Sequence, residues 1–226
     1  MTSLDKKGVE YLEGSNDFRD HRFWQWHSVW YQAKVPIELE DVHTVLEFGP
    51  GRGLAKTLME HFGIDHTSVD LPGGLSKPDY ISTLKDFHSE NTFDLVCAFE
   101  VLEHNPRGSL EEYLAKMARL SNRYVYVSIP FSGRWSTVAV SVSLPHVGIR
   151  KIWTRAVPRR WRHIPRDTRT YASDPNPYRF HWWEGGDPGS KRGDLARTAT
   201  QAGLKVTREW HNPMFPFHWF LLMERF

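Results

Sequence analysis

The sequence predicts an α/β protein with a doubly wound, mostly parallel sheet, and three observations carry this prediction. Short apolar segments alternate with amphipathic segments between residues 43 and 130, which is the pattern of strands and helices in a parallel sheet. Alternating glycines follow the first apolar segment directly, and the alternation of segments resumes after residue 190. The 226 residues, of which 25% are charged and 40% hydrophobic, are sufficient for one globular domain with a full core.

An aromatic segment comes before the main domain. Residues 17 to 34 predict one helix, inside an N-terminal segment of residues 1–42, and mix charges with Phe18, Phe23, Trp24, Trp26, Trp30 and Tyr31. The helix either packs against the sheet edge or forms an aromatic lid over a ligand pocket. Packing is favoured, because aromatic side chains at helical spacing usually belong to a core.

The first strand–helix–strand unit is predicted between residues 43 and 69. His43 to Phe48 and Thr67 to Val69 are expected to be strands. The apolar residues between them recur at steps close to about 3.6 residues, so they lie on one face of a helix; they are Leu54, Leu58, Met59 and Phe62.

A second strand–helix–strand unit follows. Phe93 to Phe99 is apolar except for Asp94, as in a parallel strand buried on both faces, and its Cys97 is expected to be a buried small hydrophobe. Ser109 and Glu112 have the spacing of a capping box, ahead of a helical face made of Leu110, Tyr113, Leu114, Met117 and Ala118. Tyr124 to Ile129 is the next predicted strand, and Pro130 is expected to end it.

The pattern breaks between Phe131 and Trp183 and then resumes. A helix is predicted near residues 190 to 202 with Gly203 as its C-terminal cap. Leu204 to Trp210 and His218 to Glu224 are expected to be two closing strands. Residues 43–226 therefore form the main domain, and residues 131–183 are an insertion in it.

The glycine-rich turn predicts a site for an adenosine-bearing cofactor that also carries positive charge. Glu47 comes two residues before the G-x-G-x-G spacing of Gly49, Gly51 and Gly53. A carboxylate at that point would repel a pyrophosphate but suits an ammonium or sulfonium group. Asp70, at the end of the next strand, can accept hydrogen bonds from both ribose hydroxyls. These features favour S-adenosylmethionine over NAD.

The chain resembles the class I S-adenosylmethionine-dependent methyltransferases, of the broad type 11-like group. The resemblance is carried by the blocks VLEFGPGRG at 45–53, SVD at 68–70, TFDLVCAFEVLEH at 92–104 and YVYVSIP at 124–130, with HWWEGG at 181–186. It implies a Rossmann-like methyltransferase fold with a seven-stranded sheet, in which the insertion follows the fifth strand and forms part of the acceptor site.

The resemblance also implies the residues that hold the cofactor. The set is Glu47, Phe48, Gly49, Gly51, Gly53, Asp70, Leu71, Asp86, Phe99 and Glu100. Glu47 and the first two glycines would line the methionine end, Asp70 the ribose, and Leu71 the adenine. Asp86 is the candidate for the adenine amino group, with Lys85 as the other position. Phe99 and Glu100 would lie beside the methionine moiety and the acceptor.

Methyl transfer to a hydroxyl or ammonium acceptor also needs a base, because the acceptor's proton must leave. Histidine suits this role, since its pKa lies near neutrality. His104 and His181 are the candidates for catalysis, with Glu103 able to orient His104. A structural hydrogen bond is an equally good interpretation of His104, and packing beside tryptophans is slightly preferred for His181. The other histidines show no metal-ligand spacing, so no metal is predicted.

The insertion is basic and aromatic. It holds ten basic and two acidic residues, a net charge of +8, and because the whole chain carries +2 the remainder carries −6. An anionic acceptor or an anionic membrane surface contacted through residues 138–162 would explain this charge. A solvated basic face paired with the acidic domain is an interpretation of equal weight. Nucleic acid is not expected, because no recognised binding block is present.

The leading functional hypothesis is methyl transfer to a small-molecule or a glycan- or lipid-linked acceptor by in-line displacement. The alternative is a non-catalytic S-adenosylmethionine-binding partner or regulatory module. A nicotinamide-dependent oxidoreductase is disfavoured by the glycine spacing and by Glu47. A cytoplasmic location is expected, because no apolar stretch resembles a signal peptide or approaches ~20 residues, and the single cysteine fits a reducing compartment.

Overall fold

A twisted seven-stranded sheet with helices on both faces organises the chain, in a computed structural model that describes residues 3–4, 10–11, 23–73, 76–132, 134–160, 168–174 and 176–226. The strands are β1 (Ser3–Leu4), β2 (Glu10–Tyr11), β3 (Thr44–Phe48), β4 (Asp65–Asp70), β5 (Tyr80–Ile81), β6 (Phe93–Phe99), β7 (Ser121–Pro130), β8 (Arg134–Leu144), β9 (Ile149–Arg160), β10 (Leu204–His211) and β11 (His218–Arg225). The helices are α1 (Phe23–Glu38), α2 (Leu54–His61), α3 (Leu110–Leu120), α4 (Thr168–Ser173) and α5 (Arg192–Gln201).

The order of the large sheet is β10-β11-β7-β6-β3-β4-β5. The neighbours from β7 to β5 pair in parallel, whereas β11 pairs antiparallel with both β7 and β10. Six strands therefore run in one direction, and β11 alone runs in the other. This order confirms the predicted doubly wound, mostly parallel sheet of seven strands. It also places the carboxyl ends of β3, β4, β6 and β7 at one edge, where ligands bind in such sheets.

Several element boundaries differ from the predicted ones. The sequence prediction missed β5, because a two-residue strand carries no periodicity. Pro130 belongs to β7 and pairs with His218 of the antiparallel neighbour, while its carbonyl accepts a hydrogen bond from Gly185 N–H at 2.8 Å. The predicted capping box is wrong, since Ser109 makes no side-chain cap bond. Ser109 already has a helical backbone (φ −85°, ψ −6°) at the end of a short 3₁₀ turn, and a capping side chain normally projects from an extended residue.

The core has two layers, one on each face of the sheet. The layer beneath α3 and α5 includes Leu46, Val96, Met117 and Leu204, all fully buried. The opposite layer lies beneath α1 and α2, and there Cys97 is fully buried as predicted.

Helix α1 packs on that second layer. Ala33 and Val35 are buried, and Tyr31 lies against Phe220 with ring centroids 5.8 Å apart. These contacts agree with packing as the role of the helix, but they lie on a face of the sheet and not at its edge; Trp30 is half exposed. Residues 17 to 22 and the side chains of Phe23 and Trp24 lie outside the described part of the chain.

The insertion contains a long antiparallel hairpin, β8–β9, and the short helix α4. Directly after the insertion the chain returns to the sheet, where Gly185 forms an isolated parallel bridge with Phe131. Among the described residues, no helix has the length and apolar character needed to cross a bilayer.

Candidate active site

A cavity of about 310 Å³ opens at the carboxyl edge of the sheet, beyond β3, β4 and β6. Its walls come from the ends of β3 and β4 with the turns that follow them, from the segment after β5, from four residues of the segment after β6, from one residue of α3 and from one residue of the insertion. The lining residues are Phe48, Gly49, Gly51, Val69, Asp70, Leu71, Ser82, Thr83, Leu84, Lys85, Asp86, Glu100, Val101, His104, Asn105, Tyr113 and Tyr178.

Glycine is required in the turn after β3, because the backbone there is left-handed and closely packed. Gly49 has φ +70°, and its N–H donates to the Val69 carbonyl of β4 at 2.8 Å. A Cβ atom on Gly49 would lie 2.5 Å from the Val101 Cγ2 atom. Gly51 also has a positive φ, +55°, but a Cβ there would meet no described atom within 4 Å. The loop therefore keeps its main chain close to the cavity, while Gly53 serves as the N-cap of α2.

Asp70 lies at the end of β4 and lines the cavity, as the sequence predicted for a ribose-binding carboxylate. Its Oδ1 accepts a hydrogen bond from Leu71 N–H at 2.8 Å. Burial raises the pKa of Asp70, and the charge of Glu47 adds to the rise. A hydroxyl donor that reaches this carboxylate would stabilise its ionised form.

Glu47 and Phe99 occupy other positions than the resemblance implied. Glu47 is 2% exposed and its Oε2 lies 2.9 Å from the His66 Nε2, away from the cavity lining. Phe99 is buried in the layer beneath α1, with its ring centroid 5.0 Å from that of Tyr126. The physical reason is strand alternation: Phe48 reaches the cavity edge, so its neighbour Glu47 points to the other face of the sheet.

Asp86 and Lys85, the two alternatives for the adenine contact, both line the cavity. The Thr83 hydroxyl donates to the Asp86 Oδ2 at 2.7 Å, and the Asp86 N–H donates to the same hydroxyl oxygen at 2.9 Å. This reciprocal pair orients the Asp86 carboxylate at the rim.

Glu100 begins the segment after β6 in a strained conformation. Its φ of +56° makes it the only non-glycine residue with a positive φ among those that the structure describes. Burial raises the pKa of Glu100 to about 8, with a further contribution from Glu184. Its Oε1 is buried, and the Ser128 hydroxyl offsets part of the rise in its pKa. Such strain and desolvation are typical of functional sites.

Three further groups meet next to Glu100. Glu103 is fully buried, and burial together with the charge of Glu100 raises the pKa of its carboxyl group well above the usual range. The His104 Nδ1 lies 3.1 Å from the Phe180 carbonyl, and burial and the nearby His181 lower the pKa of His104. The His104 and His181 rings meet edge to face with centroids 4.9 Å apart. The two catalytic candidates thus lie together, with His104 in the cavity lining and His181 behind it.

Sequence reasoning missed a polar contact between Glu100 and a histidine of β11. The His218 Nε2 lies 3.9 Å from the Glu100 Oε2, and its Nδ1 lies 2.6 Å from the Ser28 hydroxyl of α1. Burial lowers the pKa of His218 to about 4. Helix α1 therefore contributes to the site through one serine, for which the sequence held no signal.

Tyr178, Tyr113, Asn105 and Val101 were also missed as lining residues. Val101 lies within the block that carried the resemblance and Asn105 follows it directly, so proximity to that block was the available signal. Tyr178 comes from the insertion, and no signal in the sequence marked it as a lining residue. Its presence shows that the insertion reaches the cavity.

Comparison with known proteins assigns this architecture. The profile of a family described as "Methyltransferase domain" matches residues 29–209. No curated protein sequence matches the chain. The magnesium protoporphyrin IX methyltransferase from Synechocystis PCC 6803, solved with bound S-adenosylhomocysteine, has 14% identity and a TM-score of 0.56, covering 91% of this chain and 89% of that one.

Two other solved structures are similar at the same level. The 1,6-didemethyltoxoflavin-N1-methyltransferase from Burkholderia thailandensis has 15% identity and a TM-score of 0.55, over 95% of this chain and 83% of that one. An S-adenosylmethionine-bound amino pentose methyltransferase from Micromonospora echinaspora, involved in calicheamicin biosynthesis, has 10% identity and a TM-score of 0.55, over 92% and 93%. At these identities the likeness concerns the fold.

Proposed function

The chain belongs to the family whose methyltransferase domain it matches and is an S-adenosylmethionine-dependent methyltransferase; we propose that its acceptor is a small molecule or a glycan- or lipid-linked metabolite. The observation that carries the proposal is one cavity that joins the glycine turn, Asp70, Glu100 and His104. Two of the similar structures belong to enzymes named for 1,6-didemethyltoxoflavin and for an amino pentose. These names support a small acceptor of that general size.

The residues of the cavity fit the cofactor. S-adenosylmethionine supplies a methyl group on a cationic sulfonium, which leaves as a neutral thioether. Gly49 and Gly51 allow the main chain to approach the amino-acid moiety, and Asp70 would hold the ribose hydroxyls. Glu100 brings a buried carboxylate oxygen to the cavity, which suits a cationic ligand. Asp86 or Lys85 would contact the adenine.

His104 would receive the acceptor's proton. Because a carbonyl oxygen only accepts hydrogen bonds, the His104 Nδ1 carries the hydrogen that it donates to Phe180, and the neutral ring keeps a lone pair on Nε2. We expect His104→Ala to lower turnover far more than the affinity for S-adenosylhomocysteine. Equal losses in both would favour the structural role. His181 would assist from behind His104.

The test of the function has two steps. Calorimetric titration with S-adenosylhomocysteine, with NAD in parallel, should show binding of the former alone. Methyl transfer to fractions of a metabolite extract should then identify the acceptor. Cofactor binding with no transfer to any fraction would favour the non-catalytic module, and binding of NAD alone would overturn the assignment.

The hairpin β8–β9 supports a further element of this proposal, contact with an anionic membrane surface. Val138, Val140 and Leu144 of β8 are at least half exposed and pair with Arg155, Trp153 and Ile149 of β9, so all six residues lie on one face. Exposed apolar and aromatic residues mixed with cations are typical of interfacial segments.

Vesicle sedimentation tests the membrane contact. The protein should bind phosphatidylserine vesicles more strongly than pure phosphatidylcholine vesicles, and salt should weaken the binding. Trp153→Ala and the double change Lys151→Ala with Arg155→Ala should each reduce it. Lys205→Ala, which removes an exposed cation from β10, is the matched control. Equal binding to both vesicle types would argue for the solvated basic face instead.

A further inference from the structure

We propose that Glu103, His104 and His181 bind one divalent transition-metal ion, represented by Zn²⁺, beside the cavity. One donor atom of each residue lies within 4.8 Å of the other two. The absence of metal-ligand spacing along the sequence predicted no such site. The fold brings the three residues together, because the end of the insertion places His181 next to Glu103 and His104 after β6. There the Trp182 N–H donates to the Glu103 carbonyl at 2.8 Å.

Glu103 is the first argument for a ligand. Its side chain is 0% exposed, and neither of its carboxylate oxygens accepts a hydrogen bond from any other residue that the structure describes. A buried carboxylate without such partners is costly unless it is neutralised. A cation bound directly to its oxygen provides that neutralisation.

The two imidazoles are oriented as metal ligands usually are. The His104 Nδ1 is 3.1 Å from the Phe180 carbonyl oxygen, and the His181 Nδ1 is 3.1 Å from the Glu184 Oε1. Both partners are acceptors, so each Nδ1 donates and each Nε2 keeps its lone pair. A carbonyl or carboxylate behind the ligating imidazole is the common outer arrangement of zinc sites.

The distances suit a metal ion of this size. The Glu103 Oε1 lies 3.7 Å from the His104 Nε2 and 4.0 Å from the His181 Nε2. Bonds of about 2.0–2.1 Å in a tetrahedral site place neighbouring ligand atoms about 3.3–3.5 Å apart. Binding therefore requires Glu103 to approach each histidine by a few tenths of an ångström, and the two imidazoles, whose side chains are 26% and 32% exposed, have room to close on the ion from within 4.8 Å.

The donor set points to the class of ion. Two imidazoles and one carboxylate are a Zn²⁺-type set that leaves a coordination position open, whereas Mg²⁺ prefers oxygen ligands and water. Since His104 lines the cavity, an ion on its Nε2 would lie next to the acceptor. Metal binding at this site does not depend on the proposed function, but a catalytic role of the metal rests on that function. A Lewis acid there would lower the pKa of an acceptor hydroxyl. His104 would then be a metal ligand instead of the proton acceptor.

Direct metal binding tests the site. The full chain, stripped with a chelator, is titrated with Zn²⁺ in competition with a chromophoric chelator, and Co²⁺ is added separately to record its visible absorption. We expect one Zn²⁺ per chain and visible Co²⁺ bands from a low-coordinate site. Glu103→Gln and His181→Ala should each weaken Zn²⁺ binding by about tenfold or more and remove the Co²⁺ bands. His61→Ala, which removes an exposed histidine of α2, should change neither.

Controls separate this proposal from folding and from the function. Glu103→Gln keeps the shape of the side chain and removes a buried charge, so it should fold, and S-adenosylhomocysteine titration of every variant reports an intact cofactor site. Retained Zn²⁺ affinity and Co²⁺ bands in Glu103→Gln and His181→Ala would overturn the metal site. A wild-type protein without Co²⁺ bands would also overturn it. Failure to bind S-adenosylhomocysteine would instead count against the proposed function.

Discussion

Substitution of Gly49 by alanine gives the sharpest test of the glycine turn. A left-handed backbone costs a residue with a Cβ about 1–2 kcal/mol, and Gly49 has φ +70°. The new Cβ would also lie 2.5 Å from the Val101 Cγ2 atom, a clash whose relief by local shifts costs about 1–3 kcal/mol. The two terms together predict that Gly49→Ala lowers the free energy of unfolding by about 2–5 kcal/mol.

The chain contains a matched control for the clash. Gly51 has a similar φ, +55°, but its added Cβ would meet no described atom within 4 Å. Gly51→Ala should therefore cost only the backbone term of about 1–2 kcal/mol. In a Val101→Ala background the 2.5 Å contact disappears and the nearest remaining Val101 atom, Cβ, lies at 3.8 Å. The cost of Gly49→Ala should then fall to that of Gly51→Ala.

Urea unfolding of the four proteins in the Gly49/Val101 double-mutant cycle, with Gly51→Ala measured alongside, provides the assay. The expected coupling is favourable by about 1–3 kcal/mol, with unchanged m-values. Two results would refute the reasoning: equal costs of Gly49→Ala and Gly51→Ala, or the same cost of Gly49→Ala with and without Val101→Ala.

Two other predictions concern the cofactor site and the pH dependence of stability. Asp70→Ala should weaken S-adenosylhomocysteine binding by about 1–3 kcal/mol, because the ribose hydroxyls lose their hydrogen-bond acceptor. Asp65→Ala, at the exposed start of the same strand, should leave the affinity unchanged. Calorimetry measures both, and an unchanged affinity of Asp70→Ala would show that the ribose does not bind at Asp70. Burial alone would raise the pKa of Asp94, but hydrogen bonds from His43 N–H, Asn122 and Thr44 hold that pKa below its usual value. Asp94→Asn should therefore destabilise the protein above about pH 4, and the difference from wild type should shrink as acid protonates Asp94. A difference that grows in acid would contradict this assignment.

Local patterns in the sequence were enough for most of the fold. The largely apolar Phe93–Phe99 is β6 as predicted, and the positive φ of Gly203 agrees with its predicted place after α5. Both features depend on neighbouring residues, since burial on two faces and left-handed backbone leave their mark in the residue types themselves. The Ser109 capping box was wrong for a related reason: the spacing was present, but the preceding turn was already helical.

The residues that line the cavity were also only partly predictable from local patterns. Asp70 and Gly49 line it, in agreement with their positions after β4 and β3, because the order of strand and turn determines which residues reach the carboxyl edge. Glu47 was expected there too, but the pleat turns its side chain to the opposite face, where His66 lies 2.9 Å away. Whether the first or the second of two neighbours faces a ligand depends on the register of the sheet.

The sequence by itself determined the parallel α/β sheet, the glycine turn and the carboxylate after the second long strand, all of which follow from short-range periodicity and residue type. Only the tertiary structure decided that His181, from the far end of the insertion, meets Glu103 and His104, and that Ser28 of α1 reaches His218. Contacts of this kind join segments that are distant in the chain. They depend on how the helices and the insertion pack against the sheet, and packing between distant segments leaves no periodic trace in a single sequence.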